Sequence, residues 1–150
     1  MTSEIRRHYH KRRRAEHEAA TRLRITEAAV RLHGTVGPAQ TTIKAIAAEA
    51  GVQRSTVYRH YPDLESLFAS CSAHWVGLNP PPDPVAWARI ADHDERVRRA
   101  LAELYGWYER AAPMLTNILR DVHVVPEMAD AFGQFEHALA AFQAALMRGC

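Results

Sequence analysis

Cysteine is scarce in this chain. Cys71 and Cys150 are its only two, with no metal-ligand spacing between them, so neither a disulfide framework nor a cysteine-based metal site is expected. Long hydrophobic runs are missing as well. The uncharged stretch Cys71 to Pro82 is interrupted by His74, Gly77, Asn79 and three prolines. A membrane-spanning helix needs about 20 apolar residues, so no span is expected. The N-terminus is basic but no apolar run follows it, which argues against a secretory signal and for a reducing, cytoplasmic setting. No alternating apolar–polar pattern of any length suggests a strand. There is no Ser/His/Asp or Cys/His arrangement and no phosphate-cradling glycine loop with usable context, so an enzyme is not expected, and neither is a cofactor.

What remains is an ordinary globular composition, 47% apolar and 24% charged over 150 residues. The net charge of +2 conceals a division. Residues 1–62 carry a balance of +7 and residues 63–150 a balance of −5. A basic first part on an acidic second part suits a polyanionic partner for the first. Six of those positives, Arg6, Arg7, Lys11, Arg12, Arg13 and Arg14, fall in one run, which also fits a solvated basic tail.

The apolar spacing is helical throughout. Residues 1–14 read as a basic disordered arm. Ile25, Ala28, Ala29 and Leu32 mark one face of a helix from about Ala15 to His33. Ile43, Ile46, Ala47 and Ala50 repeat the pattern after Thr42, a good N-cap, with Gly51 as the C-terminal turn residue. A short helix spans about Arg54 to His60, and Leu64, Leu67, Phe68 and Cys71 mark another behind the cap residue Asp63. The run Asn79-Pro80-Pro81-Pro82-Asp83-Pro84 reads as a stiff connector. Beyond it, a helix is expected over Asp92–Ala112, with Pro113 starting the next and Pro126 ending it. Met128, Phe132, Phe135, Leu139, Phe142 and Leu146 then form a heptad-like seam in a last helix, Glu127–Arg148. The sequence therefore predicts an all-α fold. It divides into an arm (1–14), a head with a helix-turn-helix (15–78), a hinge (79–84) and a helical effector-binding and dimerisation domain (85–150).

The segment from Thr42 to Tyr61 supplies the three parts of a DNA-binding helix-turn-helix: a packed first helix, a tight turn at Gly51, and a second helix whose remaining residues are polar. Ile43, Ile46 and Ala47 bury the first helix, and Val52 and Val57 plug the second onto it. Gln53, Arg54, Ser55, Thr56, Tyr58, Arg59 and His60 are left over, which is poor packing material and a good probe.

From Leu23 to Trp75 the chain resembles the N-terminal domain of the TetR family of regulators. The residues that carry the likeness are Ala28-Ala29, Thr41-Thr42-Ile43, Ile46-Ala47, Ala50-Gly51-Val52, Thr56-Val57-Tyr58-Arg59-His60-Tyr61, Pro62-Asp63 and Leu67-Phe68. The resemblance implies a three-helix head joined to a helical regulatory domain, which here reads as short and truncated. It implies that Thr42, Tyr58 and His60 grip phosphates, and that Lys44, Gln53, Arg54 and Ser55 occupy base-reading positions. Thr56 suits either a phosphate or a thymine methyl. Arg54 is the candidate for a guanine, with a phosphate contact as its alternative. Arg59 is the doubtful member, since it also suits a salt bridge back to the body. Two departures stand out. Leu64 replaces a lysine common in the family, and His33 sits where an aromatic is usually buried and reads as a core histidine rather than a ligand. The arm suits either an adjacent minor groove or a nonspecific electrostatic role.

The implied partners are a double-stranded DNA operator, a small-molecule effector and a second copy of the chain. Trp87, Trp107, Tyr108, Met114, Phe132 and Phe135, with Met128, are the candidate effector-pocket residues, although aromatics at this spacing also serve as plain core. Asp92-His93-Asp94-Glu95 reads as an acidic helix start rather than a metal site. An exposed seam on the last helix is expected to pair two copies as a homodimer. The expected function is a sequence-specific transcriptional regulator, a ligand-responsive repressor on a pseudo-palindromic operator. The alternative is a helical interaction module whose head no longer binds specific DNA.

Overall fold

A computed structural model describes residues 2–148, with side chains from Arg6 onward. Among the described residues seven α-helices follow one another: α1 (Thr2–Thr35), α2 (Ile43–Ala50), α3 (Arg54–His60), α4 (Leu64–Leu78), α5 (Pro84–Ala88), α6 (His93–Asp121) and α7 (Ala129–Leu146). Short 3-10 turns precede α2 (Pro38–Gln40) and α7 (Pro126–Met128). No strand occurs among the described residues, so the fold is all-α, as the spacing of apolar residues predicts.

The first four helices share one core. Ile25, Ala28 and Ala29 of α1 meet Ile46, Ala47 and Ala50 of α2, Val57 of α3, and Leu67 and Cys71 of α4. The small alanines let α1 and α2 approach closely, and a salt bridge from Arg31 to Glu49 (2.8 Å) ties their outer faces. A second core gathers Trp87, Ala100, Phe142 and Ala145. A third gathers Trp107, Ala111 and Leu115 with Trp75 of α4 beside them. The proline-rich connector is held at its start, because Trp107 Nε1 donates to the carbonyl of Asn79 (3.0 Å). Its last proline, Pro84, is the first residue of α5, behind the Asp83 cap.

Two helix limits and the facing of one helix differ from what was read in the sequence. α1 begins at Thr2, where a disordered arm is expected. No glycine or proline interrupts the chain from Thr2 to His33, and the pairs Arg12–Glu16 and Arg14–Glu18 lie at the i,i+4 spacing that supports a helix. Every side chain from Arg6 to Ala20 is exposed, so the basic run projects from the head as a helical rod. α6 runs straight through Pro113, where a break is expected. Pro113 and Glu109 both face solvent, so the Glu109 carbonyl that loses its helical partner is left on the water side. The heptad-like residues of α7 and the turn before it face inward: Met128 and Phe142 are buried and Phe132, Phe135 and Leu146 half-buried, with Leu139 alone exposed. The apolar patch expected to pair two copies is thus largely covered by the chain itself. The sequence pattern marks an apolar face without saying which surface covers it.

The end of α1 is fastened to the end of α6. Asn117 Nδ2 donates to the carbonyl of His33 (2.9 Å). Arg120 Nη2 donates to the carbonyl of Val36 (3.0 Å), and the Asp121 carboxylate accepts from the amide of Ala39 (3.0 Å) while paired with Arg120. Arg120 and that amide hold the Asp121 carboxyl below its usual range. Gly37 sits between these groups at φ +92°, and a Cβ there would overlap Arg120 and Asp121. Asp92 caps the other end of α6, accepting from the amide of Glu95 (2.7 Å), so the acidic cluster there is a helix start.

His33 is 4% exposed and stacks on Phe68, ring centroids 5.1 Å apart. Burial pushes its pKa down to about 4, against a partial upward pull from Asp121. The folded chain therefore keeps His33 neutral at pH values where the unfolded chain protonates it, and stability falls as pH drops from about 6.5 to about 4. The loss attributable to this residue is on the order of 3 kcal/mol. Urea midpoints at pH 7 and pH 4.5 should separate by less in His33→Phe than in the unmodified chain. A second variant, Gly37→Ala, combines a left-handed backbone with a steric clash and should destabilise by about 2 kcal/mol or more at pH 7, read by the same urea titration.

Candidate nucleic-acid interface and cavity

The helix-turn-helix is built from local signals. Thr42 caps α2, its hydroxyl accepting from the amide of Ala45 (3.1 Å). Gly51 ends α2 at φ +66°, the left-handed geometry that favours glycine, and its amide reaches back to Ala47 and Ala48. The Val52 amide closes the turn on the carbonyl of Ala47 (2.9 Å). α3 is only seven residues, about 10 Å long. Val57 is its one buried side chain. Gln53 at its cap and Arg54, Ser55, Tyr58 and Arg59 along it are all exposed, while Thr56 and His60 are half-buried.

Each residue expected at a DNA interface is therefore outside the core. Thr42 and Lys44 are exposed, as are five of the side chains at and along α3. Tyr58, 49% exposed, puts its ring into solvent although it neighbours the core residue Val57. Arg59 is exposed, with no ion pair to the body among the described residues. His60 differs from the rest. Its Nε2 is enclosed without a partner, and burial, then Arg59 and Arg22, lower its pKa, so its ring is neutral at pH 7. The downward push from two guanidinium groups reflects the positive potential at this end of α3. Leu64, at the first position of α4, is partly exposed, so an apolar side chain stands at that edge.

The attachment of α3 depends on groups that sequence pattern did not single out. Tyr61 is 2% exposed, and its hydroxyl lies 2.5 Å from Thr26 Oγ1 and 2.9 Å from Ser70 Oγ. One phenol thereby joins α1, the end of α3 and α4. Arg22 lies over the Tyr61 ring at 4.2 Å and donates to the carbonyl of His60 (2.8 Å). It satisfies one of the carbonyls left over at a helix end and places a cation there. Tyr61 reads in the sequence as one more motif aromatic, and Arg22 carries no signal of its own; only their contacts reveal the clamp.

A cavity of about 290 Å³ lies where α1 and α4 meet α6 and α7. Trp107, Met114, Phe132 and Phe135 line it, together with Met128. Trp87 and Tyr108 do not. The short α5 turns Trp87 into the separate core with Phe142 and Ala100, its Nε1 donating to Glu103 (2.8 Å). Tyr108 packs beside Trp107 from a different face of α6 and lies outside the cavity wall. The sequence reading missed the contribution of the head: Val30 and His33 from α1, and Phe68, Cys71 and Trp75 from α4. Their periodicity marks them only as core, and His33 alone, polar on an apolar face, signals something else. Burial pushes the Cys71 thiol up to about 12, so it stays a protonated wall group.

Among the described residues no helix is long and apolar enough to cross a membrane. No solved structure matches the chain. Residues 25–71 match the family model described as bacterial regulatory proteins, tetR family. The uncharacterized HTH-type transcriptional regulator YerO of Bacillus subtilis (strain 168) is 34% identical over 56 residues, 37% of this chain. The match covers 19% of that protein's length, so the likeness speaks for the head alone. Helix order, the left-handed glycine turn and the exposed α3 agree with both matches, and the head formed by residues 25–71 is similar to the DNA-binding domain of TetR-type transcriptional regulators.

Proposed function

We propose that the chain is a ligand-responsive repressor that binds a pseudo-palindromic operator as a dimer. The observation that carries the reading is α3, which commits Val57 to the core and leaves Gln53, Arg54, Ser55, Tyr58 and Arg59 in solvent. Such a helix fits a major groove better than it packs a protein interior. Lys44, Gln53, Arg54 and Ser55 read bases, Arg54 through the O6 and N7 of a guanine. Thr42, Thr56 and Tyr58 contact phosphates, which set register and carry no sequence code. His60 joins them through whichever ring atom reaches the backbone, since its Nε2 is enclosed. The exposed basic helix before Thr21 adds salt-sensitive affinity along the flanking DNA.

A seven-residue helix touches only a few base pairs, and specificity for an operator calls for two of them. A two-fold dimer would set half-sites about 34 Å apart or somewhat more. The cavity supports the effector part of the reading, because a ligand there touches α1 and α4 of the head and α6 and α7 of the body at once. A ligand that fits one arrangement of these helices better shifts the population away from the DNA-competent one.

Selection on random double-stranded DNA with the purified chain should enrich an inverted repeat; no enriched site would overturn the proposal. On the selected site, affinity should fall steeply with salt. Arg54→Ala should lose about tenfold or more against the preferred base and relax preference at that position. Tyr58→Phe should weaken all sequences alike, and the two variants are compared by competition binding over a panel of single-base changes.

A further inference from the structure

His33, Ser72 and Gln134 put polar side chains on the cavity wall, and of the three only His33 is buried. His33 is 4% exposed and lines the cavity, and neither of its ring nitrogens has a hydrogen-bond partner among the described residues. The polar groups nearest to it are already engaged. Asn117 donates to the His33 backbone carbonyl, and the Asp121 carboxylate is taken by Arg120 and the Ala39 amide. A phenylalanine at this position would stack on Phe68 equally well, without leaving a donor and an acceptor unpaired.

The rest of the wall sets the other requirements. No Asp, Glu, Lys or Arg lines the cavity, and most of its surface comes from Trp75, Trp107, Met114, Phe132 and Phe135 and their apolar neighbours. A charged guest would lose its hydration with no counter-charge to replace it. The volume, about 290 Å³, is roughly twice that of an apolar cavity that accepts benzene.

We propose that this cavity takes an uncharged, mostly apolar molecule of about two fused rings bearing a single hydrogen-bonding group, and that His33 is the anchor for that group. The proposal rests on the reading of the cavity as an effector site and adds the class of ligand and the residue that selects it. The anchor lies on α1, the helix that also packs the helix-turn-helix, and it touches Phe68 on α4. The polar contact with the ligand is thus made by the DNA-binding head, while α6 and α7 supply the apolar enclosure.

Calorimetric titration of the full chain at pH 7 with naphthalene, 2-naphthol and 2-naphthalenesulfonate tests this. 2-Naphthol should bind about tenfold tighter than naphthalene, and the sulfonate at least tenfold more weakly than 2-naphthol. His33→Phe should bring 2-naphthol down to the level of naphthalene, whereas His33→Gln should keep part of the preference. Ala131→Phe, which fills the cavity from α7, should weaken both. Equal binding of naphthalene and 2-naphthol by the unmodified chain, a preference that survives His33→Phe, or no binding of either would overturn the proposal, and the first and last of these do not depend on any variant folding. The regulatory reading fails separately. A His33-dependent preference for 2-naphthol that leaves operator binding unchanged removes ligand control and keeps the anchor. An operator-binding chain that ignores all three probes removes the anchor and keeps the regulator.

Discussion

The last turn of α6 holds the head to the body by pairing with backbone groups that the end of α1 and the loop after it leave free. A helix as long as α1 ends in carbonyls without intrahelical partners, and the loop after it adds more free backbone groups. Asn117 takes the carbonyl of His33, Arg120 that of Val36, and Asp121 the amide of Ala39. Three side chains within five residues thus position the head relative to the body. Gly37 is the condition for this close approach, because any side chain there would occupy the space of Arg120 and Asp121. The carboxylate and guanidinium also neutralise one another, so the junction holds charges whose hydrogen bonds are filled.

That fastening explains why the cavity forms where it does. α1 and α4 come from the head, α6 and α7 from the body, and their apolar faces enclose a space that packing does not fill. The aromatic side chains that would make a plain core in a parallel bundle instead line a void. His33 sits at the edge of the junction, close enough for Asp121 to act on it and buried enough to stay neutral. The same few residues therefore govern acid stability, the orientation of the head and the polarity of the cavity.

At the other end of the head, α3 is too short and too polar to hold itself. Val57 and the closing Tyr61 anchor it, and Arg22 clamps its final carbonyl. This division leaves almost the whole outer surface of α3 free for recognition. It also makes a buried phenol hydroxyl the point where α1, α3 and α4 meet.

The order of the helices, the turn at Gly51, the capping by Thr42 and Asp63 and the polar face of α3 were legible in the chain because each depends on a few neighbouring residues: a 3.6-residue period, a cap hydroxyl, a glycine able to take positive φ. The resemblance to TetR-type heads rests on the same local motifs. The path of α1 through the basic run and of α6 through Pro113 was not legible, since both follow from ion pairs and solvent exposure that composition does not reveal. The cavity was half legible: Trp107, Met114, Phe132 and Phe135 were identified as apolar, while Trp87 and Tyr108 went to packing elsewhere and His33, Phe68 and Cys71 joined from the head. By itself, then, the sequence determined the all-α class and the helix-turn-helix, because these are properties of short windows. Which apolar faces cover one another, and so whether the seam of α7 is an outer surface or a cavity wall, was decided only in the tertiary structure, by the long-range hydrogen bonds from Asn117, Arg120 and Asp121 to backbone groups more than 80 residues earlier in the chain.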